Sequence, residues 1–144
     1  GNMSTDTHRI LVADDEPALL ELSVLWLKSA GFEVGEALDG IAALQIMENT
    51  SFDALVLDIL MPRLDGISRL AAVRERGITT PAIFASSQAD RATRTRATRL
   101  GAVGFLLKPV RGSEMIDAVR AAVSDRPDIA RATPIPSTSD AVRA

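Results

Sequence analysis

The sequence predicts an α/β fold: one doubly wound, all-parallel sheet of five strands with helices on both faces. Three observations lead there. Short apolar runs alternate with helix-periodic segments from residue 9 to residue 124. The runs are nearly continuous in apolar residues, as strands covered on both sides must be. Five strand–helix units are too few for an eight-stranded barrel, and right-handed crossovers favour an open sheet with helices on both faces. Periodicity alone leaves the strand order open.

The first strand is Arg9 to Ala13 (RILVA), which runs into Asp14-Asp15. Pro17 opens the first helix, where its missing N–H would be unpaired anyway. Leu19, Leu22, Leu25 and Trp26 then recur at helical spacing, and Gly31 supplies the stop. Phe32 to Ala37 reads as the second strand. Asp39 is placed to cap a second helix reaching Met47, with Ala43, Leu44 and Met47 inward. The third strand, Asp53 to Ile59, holds Ala-Leu-Val-Leu and then an acid, Asp58. Gly66 to Arg76 is the third helix, closed by Gly77. Pro81 to Ser86 (PAIFAS) is the fourth strand, and Ala89 to Leu100 the fourth helix, stopped by Gly101. Val103 to Leu107 is the fifth strand, leading into Lys108-Pro109. Ser113 is placed to cap the fifth helix, whose Met115, Ile116, Val119 and Val123 share one face. This divides the chain into a flexible N-terminus (1–8), one domain (9–124) and a Pro/Ser/Thr/Ala-rich flexible tail or truncated linker (125–144). Gly1-Asn2-Met3 reads as an expression remnant ahead of the natural start.

Composition removes several function classes. A chain of 144 residues suits one core, and 47% apolar with 24% charged residues is ordinary for a globular domain. A formal charge of −3 argues against direct nucleic-acid binding. There is no cysteine, so thiolate chemistry and disulfides are out. The single histidine, His8, precedes the first strand and cannot furnish a zinc site or a hydrolytic triad alone. No apolar stretch reaches the roughly 18 residues of a membrane span. No membrane contact and a cytoplasmic location are the expectation.

A parallel sheet carries its ligands at the carboxyl ends of its strands. Asp14 and Asp15 follow the first strand, Asp58 ends the third, Ser86 and Ser87 end the fourth, and Lys108 follows the fifth. Three carboxylates on one rim cannot all ionise without a cation. With only oxygen ligands available, the suited ion is a hard one such as Mg²⁺. Lys108 adds a compact positive charge and Ser86 a hydroxyl donor. Together they suit a phosphoryl group, which a carboxylate such as Asp58 can attack to give an acyl phosphate. Taken singly, each residue has a plain reading: helix N-terminal charge for Asp14-Asp15, a solvated strand end for Asp58, a cap for Ser86. The specific signal is their joint occurrence.

The stretches ILVADDEP, DALVLDILMPRLDGI, PAIFASS and GAVGFLLKP closely resemble the receiver domain of two-component response regulators, over roughly residues 9 to 124. The resemblance implies a flavodoxin-like five-stranded sheet of order 2-1-3-4-5. It implies that Asp58 is the phosphoacceptor, and that Asp14, Asp15, Asp58 and the backbone carbonyl of Leu60 hold Mg²⁺. It makes Ser86 the switch hydroxyl, Phe105 the switch aromatic, and Lys108 the phosphate-binding lysine, with a cis peptide to Pro109. It implies phosphoryl transfer from a histidine kinase or histidine phosphotransfer protein. The output goes to a downstream protein or attached output domain, from a monomer or a weak dimer through the fourth-helix, fifth-strand and fifth-helix face. Such a protein is a signalling switch that catalyses its own phosphoryl transfer and dephosphorylation, not an enzyme for other substrates. Ser86 stands where threonine is more usual and Phe105 where tyrosine is frequent, which bears on the switching. Leu60 and Gln88 are expected to flank the path of the hydrolysing water.

Three other readings fit less well. A phosphatase with an Asp nucleophile wants a general acid two residues on, where Leu60 stands. A flavin carrier on this fold wants a phosphate-cradling loop after the first strand, where the acidic DDEPALL stands. A docking module that is never phosphorylated has no need of the complete acid, hydroxyl and lysine set. The arginine-rich fourth helix, DRATRTRATRLG, has few large apolar anchors and is expected to be a weakly held, positively charged surface.

Overall fold

A computed structural model of the chain describes residues 7–58, 66–87 and 91–124, with the side chains of 66–69 left aside. The strands are β1 (Arg9–Ala13), β2 (Glu33–Ala37), β3 (Ala54–Asp58), β4 (Ala82–Ser86) and β5 (Ala102–Leu107). All pair in parallel, in the order β2-β1-β3-β4-β5. The helices are α1 (Pro17–Ser29), α2 (Gly40–Asn49), α3 (Gly66–Glu75), α4 (Arg91–Arg99) and α5 (Gly112–Ser124).

Strand periodicity sorts the core into two layers. Leu11, Ala13, Leu55, Leu57, Ala82 and Phe84 face α2, α3 and α4, packing with Met47, Val73 and Ala97. Their alternates Ile10, Val12, Ala54, Val56 and Ile83 face α1 and α5, packing with Leu20, Leu27, Met115 and Val119. Every residue of β3 and β4 is buried. Cutting Leu55 or Leu57 back to alanine is therefore expected to cost about 2–5 kcal/mol.

The strands were expected to be buried throughout, and the edge strands differ. Most residues of β2 and β5 are half-buried or exposed, because each has a neighbour on one side only. Their exposure leaves Val103 and Leu107 of β5 in solvent. His8, expected in the flexible N-terminus, extends the pairing of β1 with β2: its carbonyl accepts from the Glu33 N–H at 3.0 Å.

Two helix details also differ from the sequence reading. The inner face of α1 is Leu20, Ser23, Val24 and Leu27, while Leu22 and Leu25 point to solvent. Ser113 does not cap α5, which already begins at Gly112. Instead the Glu114 side chain reaches back to accept the Arg111 N–H at 3.0 Å, which is half of a capping box. Asp39 does cap α2, accepting the Ala42 N–H at 2.8 Å. Gly31, Gly77 and Gly101 end their helices at φ values of 99°, 80° and 91°, where a side chain is strained.

Candidate functional site

The strand order reverses between β1 and β3, and the carboxyl ends of these two strands carry Asp14 and Asp58. Ligands of open α/β sheets bind at this kind of position. The Asp14 N–H extends the sheet by donating to the Ala37 carbonyl at 3.1 Å. Its side chain turns back, and Oδ1 accepts the Glu16 N–H at 3.0 Å just ahead of α1. Asp58 ends a fully buried strand and is itself only 5% exposed, as is Asp14. Asp15 is exposed.

One carboxylate oxygen from each of Asp14, Asp15 and Asp58 lies within 4.8 Å of the others. Lys108 closes the group: its Nζ is 3.2 Å from Asp58 Oδ2 and 3.5 Å from Asp14 Oδ2. The Lys108 N–H donates to the Ser86 carbonyl at 2.9 Å, which fixes the lysine to the end of β4. The peptide between Lys108 and Pro109 is cis. Ser86 is buried, one residue beyond Ala85, the register partner of Asp58. Phe105 is half-buried in β5, opposite Phe84, and stacks on it with centroids 6.1 Å apart.

The charges respond as their surroundings require. Burial pushes the Asp14 carboxyl above its ordinary 3.8, against the lowering effects of the Glu16 N–H and the Lys108 charge. Asp15 is raised too, by desolvation first and then by the negative charge of Asp58. Burial works against the Lys108 ammonium, but the charges of Asp58 and then Asp14 outweigh it and raise its pKa. Two acids held reluctantly ionised beside a third leave unsatisfied negative charge, and all their donor atoms are oxygens. That set fits Mg²⁺.

A profile of the response regulator receiver domain matches residues 10–120. The chain belongs to this family. The receiver is 36% identical over 118 residues to the transcriptional regulatory protein PrrA of Mycobacterium leprae, covering 82% of this chain and 51% of PrrA. It is 32% identical over 112 residues to the transcriptional regulatory protein DltR of Streptococcus agalactiae, covering 78% of this chain and 50% of DltR. The chain thus spans about half the length of these relatives. Among solved structures it resembles the receiver domain of the Francisella response regulator 1452. The TM-score is 0.77 at 30% identity, over 82% of this chain and 98% of that one.

The fold thus gathers Asp14, Asp15, Asp58 and Lys108 into one site, with Ser86 joined to Lys108 through its backbone. Phe105 lies on the neighbouring strand. Leu60 and Gln88 lie outside the described residues. A cavity of about 950 Å³ lies elsewhere, with His8, Asp53, Arg74 and Arg99 among its lining residues. No helix among the described residues is long and apolar enough to cross a membrane.

One residue near the site was missed by sequence reasoning. Ser23 is a buried hydroxyl on the inner face of α1, and its only signal was a polar residue inside an apolar helical stripe. Arg94, read from the sequence as part of the basic surface of the fourth helix, also stands over the Phe105 ring, a contact between distant residues that no local pattern announces.

Proposed function

We propose that this receiver accepts a phosphoryl group on Asp58 and signals through the surface change that follows. The reading is carried by one arrangement: Asp58 held 3.2 Å from Lys108 inside a cluster of three carboxylates. The donor is a phosphohistidine on a histidine kinase or histidine phosphotransfer protein. An oxygen of Asp58 attacks phosphorus, the P–N bond breaks, and its electron pair returns to the imidazole. The Lys108 ammonium turns from Asp58 to the phosphoryl oxygens and neutralises them, so catalysis is mostly positioning and charge. Asp14, Asp15, Asp58 and the Leu60 carbonyl would hold Mg²⁺, which supplies further charge neutralisation there.

Ser86 then donates its hydroxyl to a phosphoryl oxygen in a charge-assisted hydrogen bond. Phe105 fills the space this vacates, and the face made by α4, β5 and α5 changes shape. That face carries the exposed Val103 and Leu107 beside the arginines of α4. It meets a downstream protein or an output domain, or pairs with a second copy as a weak dimer. The length of the transcriptional regulatory relatives supports an attached output domain. The protein works in the cytoplasm, without membrane or direct nucleic-acid contact by this domain.

The test is incubation with acetyl phosphate and Mg²⁺, followed by intact-mass measurement. Wild type should gain one phosphoryl group and Asp58→Asn none. Turnover without a lasting adduct would indicate a phosphatase, and no reaction a docking module. Labelling of Asp58→Asn at the wild-type rate would overturn the assignment.

A further inference from the structure

Ser23 is 1% exposed, yet its hydroxyl has no hydrogen-bond partner among the described residues. A buried hydroxyl without a partner is costly and needs a reason. Ser23 lines a small cavity of about 10 Å³, beneath the acidic site. Asp14, Asp58 and Lys108 line it as well, and Val56 and Met115 form part of its apolar wall. A space of about that size holds one water, provided that two to four polar groups face it.

A second unmet donor meets the same space. The Lys108 ammonium has three N–H groups. Among the described residues it reaches two acceptors, Asp58 Oδ2 at 3.2 Å and Asp14 Oδ2 at 3.5 Å. Its side chain is only 17% exposed, so the third N–H has little solvent to turn to. A water in the cavity accepts from Lys108, exchanges a hydrogen bond with the Ser23 hydroxyl, and donates to the Asp14 carboxylate.

We propose that this cavity is a site for one internal water, held by Ser23 and shared with Lys108 and Asp14. Ser23 is then a positioning residue, which fixes the lysine through the water. The water site rests on the cavity alone, and its effect on phosphorylation rests on the function proposed above. Lys108 is held where its ammonium faces Asp58 and needs little reorganisation to meet a phosphoryl group.

The test has two readouts. In crystals of the wild-type protein diffracting beyond about 1.5 Å, ordered density should fill the cavity, and Ser23→Ala should lose it. Beryllofluoride affinity in the presence of Mg²⁺ should fall about threefold to tenfold in Ser23→Ala, the size of one ordinary hydrogen bond. Mg²⁺ affinity should change less than beryllofluoride affinity, and Ser23→Thr, which keeps a hydroxyl, should restore part of the loss. An empty wild-type cavity overturns the water site. Wild-type beryllofluoride affinity in Ser23→Ala overturns the positioning role. Density in the cavity of a protein that takes up no phosphoryl group upholds the water and sinks the proposed function instead.

Discussion

Arg94 lies over Phe105, with its guanidinium carbon 5.0 Å from the ring centroid. The same ring stacks on Phe84, so a chain of contacts runs from α4 through β5 into β4, the strand that ends in Ser86. The rest of the attachment of α4 is thin. Ala97 is its one buried residue. Its C-terminal end is tied down separately: Arg74, whose Nη1 donates to the Ile78 carbonyl at 3.0 Å, donates from Nε to the Leu100 carbonyl at 2.7 Å. The Arg94 contact therefore helps to hold the N-terminal half of α4, alongside whatever Thr93 engages.

Arg94→Ala should loosen that half. An exposed cation–π contact is worth about 0.5–1 kcal/mol, so local opening should rise by about twofold to fivefold. Hydrogen exchange across residues 91–95 checks this, with the first helix as the internal standard. Global stability should hardly move, because little of the core is touched. Equal exchange in Arg94→Ala and wild type would show that the ring contact does not hold the helix.

Phe105→Tyr separates ring from hydroxyl. Tyrosine keeps the face that Arg94 covers and the stack on Phe84, and adds a polar tip that favours solvent or a partner. The phenylalanine ring has no such tether, so it is expected to favour burial even without phosphate. A part-populated active state lowers the differential affinity that phosphorylation must supply. Phe105→Tyr should thus lower basal partner binding and enlarge the response to beryllofluoride. If both stay the same, Phe105 is ordinary core.

The raised carboxyls set the pH behaviour of the metal-free protein. A carboxyl lifted on folding favours its protonated form in the fold. Stability therefore falls as pH climbs from 3.8 through the raised values of Asp14 and Asp15, and the full penalty stands at neutral pH. Lys108 has the opposite sense. Its contribution is fully present below 10.5 and is lost as pH rises through its raised folded value. Asp15→Asn should raise the melting temperature of the metal-free protein at neutral pH and leave it unchanged well below pH 3.8. Mg²⁺ should stabilise wild type more as pH rises, releasing protons on binding, and should no longer stabilise Asp15→Asn. A melting temperature in Asp15→Asn equal to wild type at neutral pH would remove the charge argument.

The site was legible because its signals are local. Asp14, Asp58 and Lys108 are each a charged residue directly after an apolar run, and parallel topology brings the ends of such runs together. The inner face of α1 was not legible. Leu19, Leu22 and Leu25 make one apolar stripe and Leu20, Val24 and Leu27 another. Which stripe turns inward is decided by packing on Ile10, Val12 and α5, residues far away in sequence. Ser113 and Glu114 both suit the start of a helix, and local sequence does not rank them: the helix already begins at Gly112 and Glu114 takes the Arg111 N–H. Ser23 and Arg94 matter through contacts across the fold, which periodicity cannot express.

A last prediction concerns the joint between α1 and α5. A Cβ added at Gly112 would come within 2.9 Å of three atoms of the Trp26 indole. Real Cβ atoms do not sit so close, so Gly112→Ala must move the ring or the start of α5. The backbone of Gly112 needs no positive φ, and alanine favours helix over glycine by up to about 1 kcal/mol. Against this stands overpacking, at about 1–3 kcal/mol. The clash should win because it falls on the ring body rather than on a flexible side-chain end. Gly112→Ala is expected to be destabilised by about 1–2 kcal/mol in urea melts. Its tryptophan emission should shift, and Trp26 is the only reporter in the chain. Trp26→Leu frees the space, so in that background Gly112→Ala should be neutral or stabilising. If the two changes are additive, the ring and the glycine are not coupled and the packing argument fails.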